Sequence, residues 1–337
     1  MTTTAANYSS EHKALHSLLD AQLQLPAEYR DQLTSHLPMA LQALHSLGAS
    51  PGRMYAFYAA YAKRFDGMHA PTTAQPVADW RSLRGQPDVY PALFASLNTL
   101  VVRDGIDATL RALLPDLLPG VAAAAFHGLI RTAHAVQSSH AGEVAAALAY
   151  WAWRWQPLAP AQAHAVPMPL TAWSQALVRD AQTWRTDGPL ISVRMDQAAQ
   201  GAVYQSLADA LQPFADLQSA IARLAALAAE RYVASPNFTV LHMITGMRAL
   251  RVLSPWIESG EGVQPILIRA FTAAYLAARV VPQAIAPEPR LHTWSEVIAA
   301  AIASDDDHVI KLVHACREEA SVYGEGNYLR AAALAIG

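Results

Sequence analysis

The chain has 337 residues, 53% hydrophobic and only 15% charged, where an ordinary globular domain is about a quarter charged. A formal net charge of −3, from 24 basic and 27 acidic residues without long runs, argues against a nucleic-acid stripe or a polybasic membrane patch. The single cysteine, Cys316, rules out a disulfide framework within the chain and a thiolate metal cage.

The opening MTTTAANYSSEHKAL lacks a basic stretch ahead of an apolar core, so no signal peptide is expected and a cytoplasmic, reducing location is. Alanine, leucine and glutamine dominate the rest of the chain, and these are strong helix formers. The expected fold is all-α. Helices are predicted near 10–24, 28–47, 51–65, 90–98, 104–114, 120–137, 141–154, 171–184, 196–212, 214–233, 238–253, 263–279, 293–303 and 305–321. Ser50-Pro51 reads as a cap followed by proline in the first turn, and Gly48 as a C-terminal glycine. Asp305, Asp306 and Asp307 crowd the positive end of the last predicted helix. Segments 66–89, 156–170 and 185–195 read as irregular, with LISVRM (190–195) the one short strand candidate. No composition shift marks a boundary, so residues 1–337 are expected to form one large domain.

MYAFYAAYAKRF and VAAALAYWAW are apolar on more than one face, as helices inside a large bundle are. The longest apolar stretch, LLPDLLPGVAAAAFHGLI, is broken by Pro, Asp and Gly and falls short of a membrane span of about 20 residues. So few charges leave apolar surface compatible with a homodimer.

Of 13 histidines, the informative ones lie in apolar helical runs, where an imidazole loses hydration unless both nitrogens find partners. His127 has small neighbours, Ala123, Ala124 and Gly128, which leave room for a ligand. His134, about 10.5 Å further along a helix, is too far to share one metal with it and is a supporting candidate. His36 opens a helix beside Pro38. His242 has Thr245, Gly246 and Ala249 on its face. In DDDHVIKLVHACREE, His308 and Lys311 share a face at i and i+3, and His314 stands one turn on as a second supporting candidate. A buried lysine beside a metal loses its proton readily, and the neutral amine takes up carbon dioxide to give an anionic carbamate. Each of these histidines also has a plain reading as a hydrogen-bonded core or surface residue. Tyr55, Tyr58, Trp151 and Trp153 are candidates to stack on a flat aromatic substrate, or are plain core. The chain contains no dinucleotide fingerprint, P-loop, His-Glu-x-x-His, Gly-x-Ser-x-Gly or haem attachment motif.

Four blocks in order, SHLPMALQALHSLGASPGRMYAFYAAY, AAFHGLIRTAHAV with EVAAALAYWAW, LHMITGMRALRVL and DDDHVIKLVHACRE, resemble the questin oxidase-like family over nearly the whole chain. The resemblance implies oxidative opening of anthraquinone- or polyketide-like rings, with dioxygen as co-substrate. For the fungal members it implies an NADPH-linked oxygenation, although no nucleotide-binding motif stands here. For others it implies non-haem iron held by histidines and a carboxylated lysine. Carried onto this chain, the ligands are His36, His127, His242, His308 and Lys311 around Fe(II). Arg131 departs from the family pattern where a histidine is expected, and His134 where an aromatic is common. A zinc or manganese hydrolase on the same ligands, and a metal-free helical binding or scaffold protein, are the rival readings.

Overall fold

Helix-favouring composition and well-placed caps give an all-α chain. The computed structural model describes residues 9–30, 32–69, 72–161, 166–258, 262–280 and 292–337. In order, these form α1 (Ser10–Gln22), a short hairpin of β1 (Glu28–Tyr29) and β2 (Leu33–Thr34), α2 (Leu37–Ser46), α3 (Pro51–Ala62) and α4 (Tyr90–Leu117). Then come α5 (His127–Ser138), α6 (Ala141–Trp153), α7 (Leu170–Ala181), α8 (Ile191–Ala199), α9 (Ala202–Leu207), α10 (Leu217–Ala234) and α11 (Phe238–Leu253). The chain closes with α12 (Val263–Ala277), α13 (Trp294–Ala303), α14 (Asp307–Tyr323) and α15 (Gly326–Ile336). No described helix is long and apolar enough to cross a membrane.

The caps act as the residues dictate. Ser50 Oγ accepts from the Arg53 amide at 3.3 Å, and Asp306 accepts from the His308 amide at 2.8 Å. Thr293 and Glu296 form a reciprocal capping box on α13. Gly48, at φ +89°, ends α2 in the left-handed region.

Several expectations are corrected. Residues 28–34 make the hairpin instead of the first turns of a helix, with Arg30 and Gln32 at positive φ turning the chain; Asp31 lies outside the described residues. The expected helices at 90–98 and 104–114 are two halves of α4, kinked where Gly105 takes φ +80°. LISVRM is not a strand. Most of it opens α8, which cuts into the segment expected to be irregular and ends, with α9, the helix expected over 196–212. The turns before α5 replace the first part of the helix expected over 120–137, and α15 was not anticipated. Within the irregular stretches, Trp80–Leu83 is a turn of 3-10 helix, while 70–71 and 162–165 lie outside the described residues.

Four helices enclose the centre. α2 packs on α5, α5 on α11, α11 on α14, and α14 back on α2, closing a ring. α6, buried from Glu143 to Ala152, backs α5, while α4 covers α6. α3 is less enclosed than its composition suggests, since Tyr55 is 47% exposed.

Candidate metal centre

Each helix of the central ring brings one histidine, and each near its N-terminal end. His36 is the N-cap of α2, His127 the first residue of α5, His242 lies five residues into α11, and His308 two into α14. The rings follow the helix order. Their centroids are 4.6 Å apart for His36–His127, 4.8 Å for His127–His242, 5.7 Å for His242–His308 and 4.6 Å for His308–His36. Four helix N-termini therefore point at one place, and their dipoles favour neutral imidazoles and bound anions there.

His127 is set by unusual backbone. Ala124, Ala125 and Phe126 take φ of 46°, 58° and 69°, three consecutive left-handed residues without a glycine. Such strain persists only where the surroundings hold it, and it concentrates at functional sites. The turn aims the Ala124 carbonyl at the His127 ring. Phe126 packs over Gly246, where a Cβ would meet its ring at 3.2 Å. Gly128 is likewise a packing glycine, not the ligand space that the sequence suggests: a Cβ there would lie 2.7 Å from the Trp151 side chain and 2.8 Å from its backbone. Gly128→Ala is therefore expected to destabilise the fold by about 1–3 kcal/mol through overpacking of α5 on α6, measurable by denaturant melts.

The hydrogen bonds fix the tautomers. Nδ1 of His36 donates to Asp307 Oδ1 at 2.6 Å, Nδ1 of His127 to the Ala124 carbonyl, and Nδ1 of His242 to the Phe238 carbonyl at 2.7 Å. With the proton on Nδ1, each Nε2 is a bare lone pair. Two of these, on His36 and His127, face each other at 2.7 Å. His308 repeats the pattern: its Nδ1 lies 3.1 Å from Asp307 Oδ1, and its buried Nε2 has no hydrogen-bond partner among the described residues.

Burial lowers His36 to about 3, helped by Lys311 and opposed by Asp307, and it holds His127 and His242 well below the ordinary imidazole range, with neighbouring imidazoles adding to the effect. Lys311 is buried with Nζ 3.9 Å from Asp307 Oδ1. Burial brings it down to about 8, against the pull of Asp307 and Asp306. Asp307 is the hub that sequence reasoning took only for a dipole partner. Its second oxygen takes Arg64 Nη1 at 3.0 Å. Burial alone would raise its carboxyl; His36, Lys311 and His308 outweigh that and hold it well below the usual range. Ligand-type atoms of His36, Asp307 and His308 lie within 4.8 Å of one another. Because Asp307 faces Nδ1 atoms and is shared with Arg64, it orients rings in the manner of an outer-sphere carboxylate.

The rings form the floor of a cavity of about 380 Å³, walled by Tyr29, Leu33, Leu190, Ile191 and Phe238 among others. Phe238 was missed, although its i, i+4 spacing to His242 is visible, and the ring pair stands at 4.9 Å. Of the aromatics expected at the site, none lines this cavity. Tyr55 faces outward and Tyr58 packs half-buried on the core. Trp151 is core, with Nε1 donating to the Gly120 carbonyl at 3.0 Å, and Trp153 packs on Tyr90 and Tyr150. Thr245 bonds back to carbonyls of its own helix at 3.3 Å. His134 and His314 pair with each other instead, 5.3 Å apart, in a polar cluster with Gln42 and Glu318. Arg131, the departure from the family pattern, is held by Glu143 at 2.6 and 3.0 Å.

An all-α protein whose largely apolar cavity ends in a floor of four imidazoles is the class that fold and site define. The chain belongs to the questin oxidase-like family, whose sequence profile matches residues 33–316, and the family carries oxidase- or oxygenase-type function. No curated protein matches it.

Proposed function

We propose that this protein is a non-haem iron oxygenase that opens the ring of an electron-rich aromatic substrate of the anthraquinone or polyketide kind, using dioxygen. The ligands are His36, His127, His242, His308 and carboxylated Lys311. One observation carries the reading: two imidazole lone pairs face each other at 2.7 Å, with both Nδ1 protons committed elsewhere. Such a contact is repulsive unless a proton or a metal cation is shared between the two nitrogens. The buried Nε2 of His308, without a hydrogen-bond partner among the described residues, would be a third donor to the same ion.

The donor set suits iron, since imidazoles bind it well and an oxygen anion favours its higher oxidation states. Imidazoles bind a metal in their uncharged form and bring no negative charge, and a protonated Lys311 would repel a dication. Its conversion to a carbamate, with the amine taking up carbon dioxide and releasing a proton, supplies the missing negative charge. Iron, when bound, supplies Lewis acidity and one-electron chemistry toward dioxygen. The chain's own contribution is positional. Asp307 and the carbonyls of Ala124 and Phe238 hold the rings in one tautomer, and the helix N-termini favour a substrate bound as phenolate. The apolar walls, Leu190, Ile191 and Phe238, keep water from it.

Metal analysis of the protein should find close to one equivalent of iron at this centre, and His127→Ala should lose most of it. Full iron retention in that variant would overturn the ligand set. Dioxygen uptake with a hydroxyanthraquinone under Fe(II) is expected; zinc- or manganese-dependent hydrolysis without oxygen uptake would overturn the oxygenase reading.

A further inference from the structure

The cavity over the imidazoles does not stand alone. A second hollow of about 260 Å³ adjoins it, and Gln32, Ala124, Leu190 and Ser192 line both. The shared wall comes from three places in the chain: the β1–β2 hairpin, the left-handed turn ahead of His127, and the start of α8. Ala124, whose carbonyl fixes the His127 ring, is part of both walls, so one strained turn serves both hollows.

The two hollows differ in chemistry. Above its imidazole floor the inner one is walled by apolar side chains such as Leu33, Ile191 and Phe238. The outer one is polar, with two indoles. Trp153, an aromatic that the sequence marks for stacking, lines it together with Trp155. A guanidinium lies over each ring, Arg154 at 4.2 Å from Trp153 and Arg84 at 4.7 Å from Trp155. The charge of Arg154 is met by Glu28, which takes its Nε at 2.6 Å and its Nη2, and which also accepts from the Tyr150 hydroxyl at 2.9 Å. Asp196, in contrast, has no ion-pair partner among the described residues. Nor do the side chains of Gln32 and Ser192 make a hydrogen bond there, and Gln156 makes one long one, from Nε2 to the Ser192 carbonyl at 3.4 Å.

We propose that the outer hollow is a second substrate subsite, which takes a neutral, hydroxyl-rich substituent such as a glycosyl group carried on the aromatic ring held in the inner one. This rests on the reading of the inner cavity as the substrate site. Hydroxyls both donate and accept, which matches the mixture of amide, hydroxyl and carboxylate groups in the outer wall. An ammonium would leave the amide donors facing a cation, and an anion would meet the uncompensated Asp196. The indoles supply apolar area for the C–H face of a pyranose ring.

The test is titration calorimetry of the full chain with a hydroxyanthraquinone and with its O-glucoside, under argon so that nothing turns over. Wild type should bind the glucoside about tenfold more tightly than the aglycone, the return of two or three net hydrogen bonds less the ordering of the tether. Gln156→Leu/Asp196→Ala should bring that ratio within about threefold. Asp196→Lys changes an exposed position and leaves the core alone. An anthraquinone carrying a carboxymethyl group in place of the glucose should gain about fivefold on that variant over wild type. A glucoside no tighter than the aglycone on wild type would overturn the proposal and leave the reading of the inner cavity standing. So would a tenfold advantage that survives Gln156→Leu/Asp196→Ala. Binding of neither ligand would instead take down the aromatic-substrate reading, and the proposal with it.

Discussion

Lys311→Met should make the metal-free protein more stable and at the same time abolish iron binding. The first half follows from burial. Lys311 falls from 10.5 to about 8 in the fold, so at pH 7 keeping its proton in that environment costs folding about 3 kcal/mol. The unfolded chain holds the proton up to about pH 10.5 while the folded chain gives it up near 8, so stability of the metal-free protein rises with pH across that window. Methionine is close in length, has no proton to lose, and flattens that rise. The second half follows from the charge of the centre, where the variant offers four imidazole ligands and no anionic ligand. Added bicarbonate should raise iron loading of the wild type and leave Lys311→Met unmoved. Thermal melts at pH 7 and 9, with iron analysis on the same samples, check both halves. A variant that keeps its iron removes Lys311 from the ligand set, and one whose metal-free form is less stable refutes the account of the buried ammonium.

Asp307→Asn carries the second large effect. The carboxylate holds His36, Arg64, His308 and Lys311 at 2.6, 3.0, 3.1 and 3.9 Å while itself buried. Removing one partner of a buried ion pair leaves the others uncompensated, a loss of about 3–5 kcal/mol. Losing the carboxylate that orients a metal-binding imidazole typically weakens the metal by about 10–100-fold. The sign with pH is fixed by the direction of the shift. A carboxyl held below its ordinary range contributes stability that is present above about pH 4 and lost as the pH falls from there toward its folded value. Urea melts at pH 7 and pH 3.5 should therefore show a gap between wild type and variant that narrows in acid. A gap that stays constant would mean that the carboxylate charge is not what the site uses.

The helical class was legible because it needs only composition and period: alanine and leucine in runs, with a cap at Ser50 and acids at Asp305 to Asp307, act within one turn of the residue that carries them. The histidines now around the cavity were legible as oddities, polar rings in apolar helical runs. Their meeting was not. His36 and Asp307 are 271 positions apart, and nothing periodic in either stretch announces the other.

The same limit explains the errors. Gly128 beside His127 reads as open space along the chain, yet in the fold it is the contact that admits Trp151. Residues 124–126 are ordinary helix formers that the surrounding core forces into left-handed backbone, a case of packing overriding propensity. Composition and local pattern settled which segments coil and which residues are chemically out of place. Only the closing of α2, α5, α11 and α14 into one ring decided which imidazoles share a floor, because side chains hundreds of residues apart are joined by packing and by no rule of spacing.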